Sequence, residues 1–356
     1  MAILSEEQTM LRDMAREWAD NEAPVSAFRA LRKAGPGVGF DPDSWRAQAE
    51  MGWAGIVIPE AHGGAGMGQV SLGLVLEQLG RNLVATPLAA SAAAAGAILL
   101  GGSEAQQAEW LPRIASGEMV ATLAVDEGPR FDPSTIATRA EGGRISGTKA
   151  FVPEGDGAQL FVVAATDGLH LVPGEEGVTR SPRRLVDLRS HAEVRFDGAP
   201  AEPLGGGPAL TVQVLDRATA ALTAEMLGMA ESAFARTNDY LKTRVQFGQP
   251  LASFQALQHR MAKMLTELEL MRSVVEAALE AADSGRADIA QEASLAKAVA
   301  NDTLNLVSRE MIQLHGGIGM TDEHDAGFYL KRARVLEAQW GSSSWHRDRF
   351  ARLSGY

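Results

Sequence analysis

Along the first part of the chain, apolar residues recur at helical spacing. Met10, Leu11, Met14 and Trp18 share one face of a segment opened by Ser5, Glu6 and Glu7, the pattern of an N-cap and an amphipathic helix. Asp43 or Ser44 caps a second helix through Met51, Ser71 opens a third through Leu79, and Gln106–Ile114 reads as a short fourth. GGAGMG at 63–68 is a loop, and the alanine-rich run that starts beside Pro87 is expected to be a buried helix rather than a membrane span.

From Met119 to about Pro203 the helical spacing gives way to short runs: VATLAV, RISGTKAFV, LFVVAAT and LHLV. Asp167-Gly168 sits between two of them and predicts a hairpin, and Glu141-Gly142-Gly143 predicts a second turn. PAEPLGGGPA at 200–209 reads as a linker. Beyond Leu210 come four long helical segments, 216–243, 254–283, 288–317 and 326–353. In the second, Leu257, Met261, Met264, Leu265, Leu268, Met271, Val275 and Leu279 form one stripe, which implies an antiparallel bundle. The expected fold class is α+β: an N-terminal helical domain (1–117), a middle antiparallel β domain (118–205) and a C-terminal four-helix bundle (206–356).

With 356 residues, 46% of them hydrophobic, the chain can bury one large core or two to three small ones. A net charge of −12 argues against nucleic acid as a partner, because phosphate binding needs a basic surface. The absence of cysteine excludes disulfides, thiolate metal sites and a Cys nucleophile. The N-terminus is charged from its sixth residue, unlike a signal peptide, so a cytoplasmic location is expected, with no membrane partner. No cluster has metal-ligand spacing. His324 and His346 are expected to face solvent or a subunit interface, and His315 to be structural or to sit beside a cofactor.

Two runs in the helical region carry candidate chemistry. Arg244 is a permanent cation with a planar fork suited to pyrophosphate, Phe247 offers a flat face, and Gly248 lets the chain bend. Gln313, followed by Gly316-Gly317, combines an amide with accessible backbone N–H groups that suit phosphate oxygens. Taken singly, Arg244 is also a good helix C-terminal residue and Gly316-Gly317 an ordinary helix stop.

Together these runs resemble the two signatures of the acyl-CoA dehydrogenases. RVQFGQPLASFQ resembles the family's R-x-x-F-G-x-x-x-x-x-x-Q, and QLHGGIG its Q-x-x-G-G-x-G; GWAGIVIPEAHGGAGMG and LPRIASGEMVATLAVDE match in the same order, so the likeness covers nearly the whole chain. The resemblance implies FAD as cofactor, an acyl-CoA substrate and an external electron acceptor such as an electron-transfer flavoprotein. It assigns Arg244, Gln246, Phe247, Gln255, Gln313, Leu314, Gly316 and Gly317 to the ADP half of an FAD held by a neighbouring subunit, and Asp216 to the CoA side.

The chain departs from the family where the flavin ring and the base belong. VDEGPRFDPS (125–134) lacks the usual Gly-Ser-Asp and puts Asp126 where a Ser or Thr hydrogen-bonds the flavin, while Phe151-Val152-Pro153 replaces Trp-x-Thr. The glutamate positions that resemble the family's base hold Trp340, before Gly341-Ser342, and Ala218, followed by Thr219 in place of an Arg. Glu225, two helical turns beyond Ala218, is the candidate substitute base, with Glu337 as the second choice. The run HGGIGMTDEHDAGFYLKRA resembles bacterial members that act on sterol side-chain thioesters as heterotetramers of unlike subunits. The expected function is FAD-dependent α,β-dehydrogenation of a bulky acyl-CoA, with a second, unlike acyl-CoA dehydrogenase subunit as an α2β2 partner. The alternatives are a homotetramer using Glu225, a same-fold flavin oxidase or monooxygenase, and a non-catalytic structural subunit.

Overall fold

The computed structural model describes residues 4–34 and 39–356. In chain order the first elements are helices α1 (Glu6–Glu22), α2 (Val25–Ala34), α3 (Pro42–Glu50), α4 (Gly68–Arg81), α5 (Leu88–Gly101) and α6 (Glu104–Ala115). Strands β1 (Ala121–Ala124), β2 (Arg139–Glu141), β3 (Arg144–Pro153), β4 (Leu160–Ala165), β5 (Gly168–Pro173), β6 (Val178–Pro182), β7 (His191–Pro200) and β8 (Glu202–Pro203) follow. The chain ends in α7 (Gly207–Thr243), the two-residue strands β9 (Val245–Gln246) and β10 (Gln249–Pro250), α8 (Gln255–Asp283), α9 (Ile289–His315), α10 (Ala326–Ala338) and α11 (Ser343–Leu353).

Local chemistry explains most element ends. Ser5 and Ser103 cap α1 and α6, each with a glutamine three residues on, Gln8 and Gln106, that bonds back to the cap N–H. Asp41, not Asp43 or Ser44, caps α3, because Pro42 supplies the first helical residue. Gly142 and Gly143 both have positive φ, 58° and 76°, and close the β2–β3 hairpin.

Two compact units are built from interleaved chain segments: Met1–Phe28, Gly73–Val84 and Ala220–Tyr356 form one, Arg29–Leu72 and Ala85–Thr219 the other. The second unit holds two four-stranded sheets, ordered β1-β4-β5-β8 and β2-β3-β7-β6. The expectation of a wholly antiparallel β domain needs correction, because β1 runs parallel to β4, Ala121 opposite Leu160. The chain leaves β1, builds the β2–β3 hairpin of the other sheet and returns, and such a crossover delivers a parallel neighbour. All four residues of β1 are buried. Helix α5 packs on β1 through its alanines, and Ser91 Oγ donates to the Ala121 carbonyl at 3.3 Å.

In the first unit, α7 is buried on every side from Ala220 to Ala230. Helix α4 passes it at backbone contact. A Cβ on Gly228 would lie 1.8 Å from the Glu77 carbonyl oxygen, and one on Gly80 would lie 2.3 Å from that of Glu225. On α8, Met264, Leu268, Met271, Val275 and Leu279 are buried as the stripe requires, but Leu265 is 47% exposed. The expected helix 326–353 is two helices. Trp340 (φ 55°) and Gly341 (φ 116°) interrupt it, and Ser342 caps α11. Among the described residues, no helix is long and apolar enough to cross a membrane.

Candidate functional site

The first signature follows directly from the end of α7. Arg244 N–H donates to the Tyr240 carbonyl, and β9 pairs with β10 around a turn made by Phe247 (φ 54°) and Gly248 (φ 78°). Both central residues are left-handed, the geometry that suits a two-residue hairpin. The turn pushes Phe247 out, 89% exposed, with its ring 6.1 Å edge-on from Phe254. Arg244, Gln246 and Gln255 are exposed as well. The second signature caps α9: Gly316 (φ 63°) ends the helix and opens a 3-10 turn through Met320. Gln313, Gly316 and Gly317 are exposed, whereas Leu314 is buried.

The two signatures meet. Tyr240, four residues before Arg244, stacks on His315 with ring centroids 4.3 Å apart, and its hydroxyl donates to the His315 carbonyl at 3.3 Å. His315 is buried, with Nδ1 2.7 Å from the Met311 carbonyl. Burial holds its imidazole below the ordinary histidine range. His324, expected at solvent or at a subunit interface, is half-buried, its ring 4.5 Å from that of His315.

This arm fits the ADP half of a flavin nucleotide. It offers a guanidinium, a free aromatic face and amide side chains, and a Cβ at Gly248, Gly316 or Gly317 would meet nothing within 4 Å, so a phosphate can approach the backbone. The loop expected at the flavin ring does not fit. Glu127 accepts from the backbone of Ala137 and Thr138, from the Thr138 hydroxyl and from Lys149 Nζ, latching the loop onto itself. Asp126 Oδ1 is buried without a partner, and burial pushes its carboxyl up to about 6. It is an acceptor-type carboxyl at the position where the resemblance expects a hydroxyl donor. Phe151 sits at a bulge in β3 with φ 52° and contributes no hydroxyl either.

The candidate base positions are equally specific. Glu225 is 8% exposed, and both its oxygens accept from Arg332 of α10, at 2.8 to 3.1 Å. Glu337 accepts from Arg334, one turn earlier on α10. Asp216 is buried on α7. Trp340 is also buried, and its bend is held by a cluster the sequence reading missed. Lys297 Nζ, fully buried, donates to Asn301 Oδ1 and to the carbonyls of Leu336 and Gly341, while Asn301 Nδ2 also reaches Gly341. His346, expected at the surface, is 1% exposed and bonds the Trp340 carbonyl through Nε2 at 2.9 Å. The helix break turns it inward, and burial pulls its imidazole down to about 3. The available signal was positional, since Lys297 and Asn301 lie on the buried face of α9 with Ala293, Ala300 and Leu304.

Comparison with known proteins agrees with the geometry. Residues 5–118 match the acyl-CoA dehydrogenase N-terminal domain and residues 205–354 the C-terminal domain. Acyl-CoA dehydrogenase IpdE2 of Mycolicibacterium smegmatis is 34% identical, covering 93% of each chain. A variant of the Tcur3481–Tcur3483 steroid ACAD superposes with a TM-score of 0.92 at 34% identity, over 98% of each chain. The ChsE4–ChsE5 complex from Mycobacterium tuberculosis gives 0.92 at 26% identity, over 100% of each chain. With both signatures, the helical and β elements in order and this coverage, the chain belongs to the acyl-CoA dehydrogenase family, flavoproteins that oxidise the CH–CH bond of acyl-CoA thioesters.

Proposed function

We propose that this chain is one subunit of an unlike pair of acyl-CoA dehydrogenase chains. Its substrate would be a bulky, steroid-type acyl-CoA, and its exposed arm would hold the ADP half of FAD in its partner. The observation that carries this reading is an asymmetry. Arg244, Phe247, Gln313, Gly316 and Gly317 stand open on the surface, while the ring-side loop carries Asp126 and latches itself through Glu127. Two structural neighbours support it, one described as a steroid ACAD and the other as a two-component complex. FAD, when bound, supplies the hydride acceptor. This chain's residues anchor diphosphate and adenosine through charge, stacking and backbone donors. An external electron acceptor such as an electron-transfer flavoprotein would complete the assembly's partners, and the assembly works in the cytoplasm.

A second reading is a homotetramer with Glu225 as the base, favoured by a carboxylate buried on α7. It requires Arg332 to release that carboxylate before a Cα proton can be accepted. Purification separates the two. Expressed with a more complete family member, the chain should form an α2β2 assembly with about two FAD per four chains, and alone it should be poor in FAD. A homotetramer with a full complement of FAD overturns the unlike-partner reading. Within the assembly, Arg244→Ala should weaken FAD retention by on the order of 1.5–3 kcal/mol.

A further inference from the structure

The two halves of the nucleotide arm come from chain segments about 70 residues apart, and each alone is a solvent-exposed turn. Something must hold Arg244 and the Gly316-Gly317 turn at a fixed separation, because a diphosphate can be gripped from both sides only at one spacing. The geometry points to Tyr240 and His315 as that joint: they are positioning residues that set the register between the two halves of the ADP-binding arm. This inference rests on the proposed role of the arm and goes beyond it, since neither residue is among the fixed letters of the two signatures.

The contacts specify the joint from both sides. Tyr240 sits in the last turn of α7, and its carbonyl receives the Arg244 N–H at 2.8 Å, so the direction of the ring and the start of the hairpin are coupled. The ring lies on His315 at 4.3 Å with 29° between planes, and its hydroxyl reaches the His315 carbonyl, one residue before Gly316. His315 is itself immobilised. Nδ1 bonds the Met311 carbonyl, and the 3-10 turn folds back so that a Cβ at Gly319 would lie 3.0 Å from His315 Cβ. Displacing the tyrosine ring therefore frees the hairpin from the glycine turn without touching a residue that contacts ligand. Tyr240 is only half-buried and the rest of α7 is anchored elsewhere, so its replacement leaves the bundle core intact.

The test measures FAD dissociation from the loaded assembly by the rise in free-flavin fluorescence, alongside thermal unfolding. Tyr240→Leu keeps bulk but removes the aromatic stack and should weaken FAD binding roughly three- to tenfold. Tyr240→Phe keeps the stack and should restore most of that affinity. Both should melt close to the wild type, and hydrogen exchange of residues 313–320 should quicken in the leucine variant alone. Wild-type FAD affinity in Tyr240→Leu, with Arg244→Ala still impaired, overturns the joint and leaves the arm assignment standing. Wild-type affinity in both variants overturns the two together. If Tyr240→Leu melts far below the wild type, FAD release is compared at a temperature well below its melting: release roughly three- to tenfold faster than in the wild type and in Tyr240→Phe supports the joint, and release at the wild-type rate overturns it.

Discussion

Glu225 and Arg332 are locked together inside the helical unit: the guanidinium donates to both carboxylate oxygens, and each residue is less than a tenth exposed. A pair like this is held by its own geometry, and removing one partner strands the other charge away from water. Glu225→Gln should therefore cost about 3–5 kcal/mol of stability. Flavin reduction in the assembly, measured by stopped flow below the melting temperature, should stay within a few-fold of wild type. A fall of about 100-fold with melting unchanged would instead make Glu225 the base.

A second carboxylate in the same unit makes stability depend on pH. Burial, reinforced by Glu231, raises Glu77 from 4.5 to about 7, opposed by Arg272, Arg81 and a hydrogen bond from Gln78. Between those two values the native state holds a proton that the unfolded chain releases. Stability therefore falls as pH rises from 4.5 toward 7, then levels off. Glu77→Gln lacks this dependence. Compared by urea unfolding at about pH 5 and about pH 8, the variant should gain roughly 1–3 kcal/mol on wild type at the higher pH. A difference that does not change with pH would place the ionisation elsewhere.

The bend at Trp340 responds in the opposite direction. Burial lowers Lys297 from 10.5 to about 7. Between those values the unfolded chain holds the proton, so this group's contribution to stability grows as pH rises from 7 to 10.5. Lys297→Met removes the donor from the Leu336 carbonyl and from Asn301 Oδ1, a cost of about 1–3 kcal/mol per group left unpaired, while the Gly341 carbonyl keeps Asn301 Nδ2. Its deficit against wild type should widen from neutral pH to about pH 10. Tryptophan fluorescence followed through denaturation reads the stability, and a deficit that stays constant with pH would remove Lys297 as the titrating group.

Much of this architecture was legible because its determinants are local. Ser5 marks a helix start, Gly142-Gly143 marks a hairpin, and the α8 stripe marks a buried face, each within a few residues. The two signature runs of the proposed nucleotide arm were legible for the same reason, because each is compact in sequence. Other features depend on partners far along the chain. Lys297 looks like surface charge until Gly341 supplies its acceptor, and His346 looks exposed until the break at Trp340 redirects α11. The parallel pairing of β1 with β4 depends on how the intervening strands are distributed between two sheets. The fork on Glu225 was out of reach for a similar reason, since Arg332 lies 107 positions away.

The helical unit draws on the chain three times: Met1–Phe28, Gly73–Val84 and Ala220–Tyr356. During synthesis its two early pieces emerge long before the helices they pack against. Leu72, Val75, Leu76 and Leu79, all essentially unexposed in the finished fold, lie on or beside α4, which carries the close approach at Gly80. That contact cannot form until α7 exists, roughly 140 residues later. The nascent chain must therefore carry an uncovered leucine-rich helix for much of its translation, at on the order of 5–20 residues per second. A truncation anywhere before α7 leaves that helix permanently without its cover, so partial products of this gene are destined for aggregation or chaperone capture rather than for a smaller folded domain.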